Sequence, residues 1–149
     1  MALKKETHDI LRSLERSANK KLRYPEVIGE LVESAVKNGL TAKLLDAAFL
    51  AKFVTRSMGV MQRIGVNGDG YDKLREESEA NLAKASSLVR SFVDHLPPES
   101  RLRNDALFFA LSHDSMRRFV GLLEDLTVLK NWSLDGGKLP GAFDQRNPE

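Results

Sequence analysis

The sequence predicts an all-α protein, a single-domain bundle of five or six helices around a central apolar helix at about residues 42–64. First, positions 47–51 are five consecutive apolar residues, which reach every side of a helix at about 100° per residue. Second, apolar residues elsewhere recur at helical spacing. Third, no strand-like alternation and no fixed repeat stands out. A helix that is apolar all round must be covered by other helices of its chain or by another subunit.

Length and composition bound the class of protein. The 149 residues can bury about 70% of the surface of the unfolded chain, which suits one domain. We expect a helical bundle over residues 1–133 and an extended C-terminal tail over 134–149, because glycine and proline crowd that end. The absence of cysteine excludes disulfides and thiolate metal sites, and no signal peptide is readable, so we expect a cytoplasmic protein.

The first two helices are defined by a stripe and by helix-breaking residues. Apolar residues from Leu3 to Leu22 form one helical stripe, which predicts a helix over about residues 4–22. Proline suits a first helical turn, so a second helix should start at Pro25. Gly39 followed by an apolar residue has the form of a Schellman close, and Thr41 is the expected cap of the third helix.

The remaining helices are predicted from the same signals, which are helix-breaking residues, capping residues and apolar spacing. Three glycines in residues 65–70 end the third helix, and Asp69 is the expected N-cap of the fourth, which Pro97 stops. A short apolar segment at 102–111 follows, and Ser112 or Asp114 should cap the last helix. The residues expected to pack along the fourth and last helices are Leu82, Ala85, Val89, Phe92, Leu96, Met116, Phe119, Leu122, Leu123, Leu126 and Leu129.

The glycine-rich connection partly resembles a calcium-binding EF-hand loop. Asn67, Asp69 and Glu76 occupy the third, fifth and twelfth positions, and a glycine occupies the sixth. However, Gly65 stands at the first position, which should supply a carboxylate, and Asp72 at the eighth, which should be apolar. We therefore interpret this segment as a helix–helix turn and predict no metal and no cofactor.

Catalytic patterns are not readable in this sequence. No histidine lies three residues after a glutamate, as a di-iron bundle requires, and each adjoins an aspartate instead. The run from Ser112 to Asp114 holds the residue types of a catalytic triad, but triad members meet through the fold rather than by adjacency. We predict no catalytic residues. A pocket joining Asp46, Glu76 or Glu124 to a histidine would favour the alternative of a small-ligand-binding or enzymatic bundle.

Charge is small overall, +2, but residues 1–24 hold seven Lys or Arg against three Asp or Glu. Two basic ridges have the spacing of single helix faces: Arg12, Arg16, Lys20 and Arg23 on helix one, and Lys52, Arg56 and Arg63 on helix three. A nucleic-acid-binding protein is therefore an alternative, although interleaved acids and the lack of aromatic residues favour a solvated face. Asp46, Lys52 and Arg56 also interrupt the apolar run too early for a membrane span.

Surplus apolar surface on the third helix is the main functional signal. Five or six helices leave part of such a helix uncovered in a chain this short, and homodimers are the commonest closed assembly. We therefore expect a non-catalytic interaction or assembly module that self-associates through an apolar helix face. Large or soft side chains at helix ends suggest Phe53, Met58, Met61 and Trp132 as interface residues, with Gly59 allowing close approach of another backbone.

Overall fold

The computed structural model describes residues 3–104 and 113–139, with the backbone alone described at 113–117. In these ranges the chain forms six α-helices and one 3₁₀ turn, without a strand, which confirms the predicted all-α class. The elements are α1 (Lys5–Ala18), α2 (Pro25–Asn38), α3 (Thr41–Ile64), α4 (Tyr71–Arg90), a 3₁₀ turn (Val93–His95), α5 (Arg101–Asn104) and α6 (His113–Leu134).

The third helix is central, as predicted, and packs most extensively along α4 and α6. Its buried side is rich in alanine, which lets neighbouring helices approach closely. As expected, the other helices leave part of α3 uncovered, since Phe49 and Phe53 are 54% and 45% exposed. The fully buried α3 and α6 side chains that meet in the core are Leu44, Ala47, Ala48, Ala51, Val54, Leu122, Leu123, Leu126 and Leu129.

Helix α1 ends at Ala18, four residues before the predicted end at Leu22. Asn19 adopts the left-handed conformation, with φ of 54°, and the Lys20 N–H then bonds back to the Glu15 carbonyl at 3.2 Å. The Glu15 carboxylate accepts the Leu22 N–H at 2.9 Å. Leu22 is nevertheless buried, as predicted for the apolar stripe, although it lies beyond the end of the helix.

Helix α2 has the predicted ends. Pro25 is its first residue, and Gly39 closes it at φ of 69°, with the Leu40 N–H bonded to the Ala35 carbonyl at 2.8 Å. The predicted cap at Thr41 is wrong. Leu40 occupies the N-cap position of α3 and Thr41 lies inside the helix, where its hydroxyl is buried without a hydrogen-bond partner.

Helix α4 departs from the prediction at both ends. Gly70, with φ of 83°, is its N-cap residue and no side chain caps the helix, so the predicted cap at Asp69 is wrong. The helix ends at Arg90 rather than at the prolines, because the chain tightens into the 3₁₀ turn. Phe92 and Leu96 remain buried, as their helical spacing predicted.

Helix α6 buries its predicted core residues from Phe119 to Leu129. After the helix, the Gly137 N–H bonds to the Trp132 carbonyl at 2.9 Å and Leu139 is buried. The predicted cap Ser112, the 105–111 part of the apolar segment, the side chains of Asp114 and Met116, and the tail beyond 139 lie outside the described residues. Across the ranges described above, no helix combines the length and hydropathy needed to cross a membrane.

Candidate functional site

The outer side of α3 presents a continuous row of residues, here called the α3 stripe. Its members follow one another at alternating steps of four and three residues, which places them on one side of a helix. All are exposed except Val60, which is half-buried. The α3 stripe comprises Ala42, Asp46, Phe49, Phe53, Arg56, Val60 and Arg63.

Two aromatic rings occupy the middle of the α3 stripe. Phe49 and Phe53 lie one helical turn apart and are 54% and 45% exposed, on a helix whose other sides form the core. The Lys130 ammonium of α6 lies 5.1 Å from the centroid of the Phe49 ring, a cation–π geometry. Neighbouring large apolar side chains exposed together mark interaction surfaces more often than single ones do.

Charged groups frame these rings. Asp46 precedes them and Arg56 follows them on the α3 stripe, and both are exposed. Lys52, half-buried on one flank, lines a cavity of about 320 Å³ together with residues from the ends of α1 and α6, among them Ser17 and Leu134. The surface thus has an apolar centre and a polar rim, which is the usual anatomy of a protein interface.

Three of the four residues predicted for an interface lie elsewhere. Met58 is half-buried against the core, and the Met61 sulfur lies 3.6 Å from the Ser78 hydroxyl. Trp132 is only 9% exposed because it packs inside the bundle, where its indole N–H donates to the Ser13 hydroxyl at 2.9 Å. Phe53 alone belongs to the α3 stripe.

Phe49 was missed by the sequence interpretation. The signal that identifies it is the alternating four- and three-residue spacing of the α3 stripe, which the run of apolar residues around it obscured. Gly59, expected to admit another backbone, has only open space where a Cβ atom would stand. The monomer therefore does not use Gly59 for close helix packing.

The predicted basic ridges are partly neutralised by acids. Arg12 pairs with Asp9, and the Arg23 guanidinium lies 3.2 Å from the Glu124 carboxylate. Arg16, on α1, and Lys20, which lies beyond the end of α1, are both exposed. On α3, Lys52 is half-buried, whereas Arg56 and Arg63 are exposed members of the α3 stripe. These contacts favour the solvated, intramolecularly paired interpretation of the ridges.

The EF-hand-like residues form no metal centre in the structure. Asn67, Asp69 and Glu76 are all exposed, and among the described side chains, those of residues 3–104 and 118–139, no three acidic, histidine or cysteine groups are placed to hold an ion together. The Tyr71 N–H bonds to the Gly68 carbonyl at 3.2 Å, so the segment closes as a backbone turn.

The acidic and histidine residues considered for catalysis are dispersed. Asp46 and Glu76 are exposed, and Glu124 is engaged with Arg23. His8 and His95 are exposed, and the His113 side chain lies outside the described residues. Neither the 320 Å³ cavity nor a second one of about 170 Å³ between α1 and α2 is lined by a histidine.

Two acids away from the α3 stripe, the buried Asp125 and the half-buried Glu30, have clear structural partners. Asp125, on α6, is 2% exposed and accepts the backbone N–H groups of Arg23 and Tyr24. Burial raises the pKa of its carboxyl above the ordinary value, against the opposing effect of these two bonds. Glu30 accepts the Ser100 hydroxyl at 2.8 Å, and burial likewise raises its pKa. Both acids join elements of the bundle, and neither lines the two cavities described above.

Comparisons with family models, curated proteins and solved structures found no match to this chain. Function is therefore argued from the geometry of the α3 stripe.

Proposed function

We propose that this chain is a non-catalytic assembly module that forms a homodimer through the α3 stripe. The observation that carries the proposal is the exposure of Phe49 and Phe53, at 54% and 45%, on the helix that otherwise supplies the core. Removing these rings from water is the favourable step that association would provide.

The energetic scale indicates a reversible dimer. Burying a whole phenylalanine side chain contributes roughly 1.5–3 kcal/mol, so two half-exposed rings from each copy contribute about 3–6 kcal/mol together. That free energy corresponds to a Kd of roughly millimolar to tens of micromolar if the rest of the interface only offsets the cost of association. We therefore expect a monomer–dimer equilibrium that depends on protein concentration.

The surroundings of the rings support a second copy of the chain as the occupant. The α3 stripe carries both charge signs, in Asp46 and Arg56, so the same surface on another copy offers an opposite charge to each. A self-complementary patch is what a two-fold interface requires.

The test is molar mass by size-exclusion chromatography with light scattering, from micromolar to near-millimolar protein, with absorbance read at two wavelengths to reveal carried nucleic acid. We expect a dimer that dissociates on dilution and has protein-like absorbance. The double variant Phe49→Gln/Phe53→Gln should be monomeric with unchanged helicity by circular dichroism, since both positions are exposed and glutamine favours helix.

The matched control is Val66→Gln, which removes a 72% exposed apolar side chain from the α3–α4 loop. It should dimerise like the unaltered chain. A monomer at every concentration, or a glutamine double variant that still dimerises, contradicts the proposal. Nucleic-acid absorbance co-eluting with the protein would favour the basic ridges instead.

A further inference from the structure

From Ala42 to Val60, the residues of the α3 stripe form complementary pairs at equal distances on either side of Ala51. Phe49 and Phe53 stand two residues on either side of it, and Asp46 and Arg56 stand five residues on either side. Farther out, Ala42 and Val60 are equidistant from Ala51 and are both apolar. Each of these six residues thus has a chemically suitable counterpart at the same distance on the other half of the helix, whereas Arg63, at the end of the stripe, has none because position 39 precedes α3.

This symmetry distinguishes the two ways in which a pair of α3 helices can lie together. In an antiparallel pair crossing near Ala51, each residue faces the one equally far on the other side of Ala51 in the second copy. The four- and three-residue steps also interleave correctly in that arrangement. In a parallel pair each residue faces its own copy, so Asp46 meets Asp46 and Arg56 meets Arg56. Opposed like charges disfavour the parallel pair.

This inference rests on the proposed self-association. We infer that the dimer is an antiparallel two-fold pair of α3 helices whose midpoint lies level with Ala51 along the helix axis, although Ala51 itself is buried in the core. Phe49 packs against Phe53 of the second copy, and Asp46 pairs with its Arg56. Because the axis is two-fold, both contacts occur twice. The phenylalanines supply the apolar centre, and the two ion pairs at its ends select the antiparallel register.

Charge reversal tests this register. Asp46→Arg places two arginines opposite each other at both ends of the interface, and Arg56→Asp places two carboxylates there. Each single variant should weaken dimerisation roughly tenfold or more at low salt. The double variant Asp46→Arg/Arg56→Asp restores opposite charges, and its Kd should return to within about threefold of the original value.

The matched control is Asp94→Arg, a charge reversal at an exposed residue of the 3₁₀ turn, away from α3. It should leave the Kd unchanged. Sedimentation equilibrium gives each Kd, and circular dichroism verifies that every variant is folded.

The failure of this inference is distinguishable from the failure of the proposed function. If single reversals leave the Kd unchanged, or if the double variant is not restored, the antiparallel register is overturned. Loss of the dimer in Phe49→Gln/Phe53→Gln would still support association through the α3 stripe. If the unaltered chain is monomeric throughout, both proposals fail.

Discussion

The Asp125 carboxylate of α6 accepts the backbone N–H of Tyr24, the residue immediately before α2, at 2.7 Å. Its other oxygen accepts the Arg23 N–H at 2.9 Å. Asp125 is 2% exposed, so one buried side chain connects the α1–α2 turn to a helix more than a hundred residues later in the chain. Backbone groups at the entrance of a helix need such acceptors, because no earlier helical carbonyl exists for them.

The variant Asp125→Ala should lower the free energy of unfolding by about 2–3 kcal/mol, because it leaves two backbone donors without their acceptor. Urea denaturation measures the loss. Asp135→Ala, at an exposed aspartate just after α6, is the control and should change stability by less than about 0.5 kcal/mol. Equal effects of the two variants would show that the Asp125 bonds do not hold the turn.

Stability should also depend on pH through Asp125. Burial raises the pKa of its carboxyl above the ordinary value of 3.8, so the folded state binds this proton more tightly than the unfolded chain. The associated stabilisation is present below pH 3.8 and is lost as the pH rises through the higher folded pKa.

Comparison with Asp125→Asn isolates this effect, since asparagine cannot titrate and the other carboxyls contribute equally to both proteins. Relative to that variant, the free energy of unfolding of the unaltered chain should increase as the pH falls from neutral toward about 4. Urea titrations at several pH values provide the measurement. A relative stability that decreases on acidification would require a lowered pKa instead.

The variant Thr41→Val should stabilise the protein by about 1 kcal/mol, because the Thr41 hydroxyl is buried with no hydrogen-bond partner and valine has nearly the same shape. Thr7→Val is the matched control. The buried Thr7 hydroxyl donates to the Glu33 carboxylate at 2.7 Å, so the same substitution there should destabilise by about 1 kcal/mol. Thermal unfolding compares the two, and changes of the same sign would contradict the assignment.

The variant Gly59→Ala should raise the free energy of unfolding by about 0.5–1 kcal/mol, because Gly59 lies inside α3 and a Cβ atom there meets nothing within 4 Å. Gly68→Ala is the control, since its Cβ would collide with the backbone carbonyl oxygen of Ile64, and this substitution should destabilise. Dimerisation of Gly59→Ala should be unchanged. Weaker dimerisation would show that the interface extends to the end of α3 that carries Met58 and Met61.

The extent of the helices was largely predictable because their signals are local. Pro25 and Gly39 bound α2 through their own backbone preferences, and the helical spacing of apolar residues identified the core side of α6. Errors arose where another local interaction was stronger. Asn19 ended α1 early by adopting the left-handed conformation, and Gly70 replaced Asp69 at the start of α4.

The candidate site was only partly predictable. Phe53, predicted for an interface by its size, is exposed on the α3 stripe. Trp132, predicted for the same role, is buried and bonded to Ser13, which lies 119 positions away in the chain. The sequence around Trp132 does not indicate Ser13 as its partner, and the sequence around Ser13 does not indicate Trp132. Pairings of this kind depend on how helices dock, as the contact of Asp125 with Tyr24 also does.

The sequence by itself determined an all-α chain, the central position of α3 and most of its core, because helix formation and apolar spacing depend on residues within a few turns of one another. Only the tertiary structure decided which side of α3 faces solvent. A helix with apolar residues on every side has no preferred inward face, so the packing of α4 and α6 selects the covered sides. That packing leaves Phe49 and Phe53 exposed among the described residues.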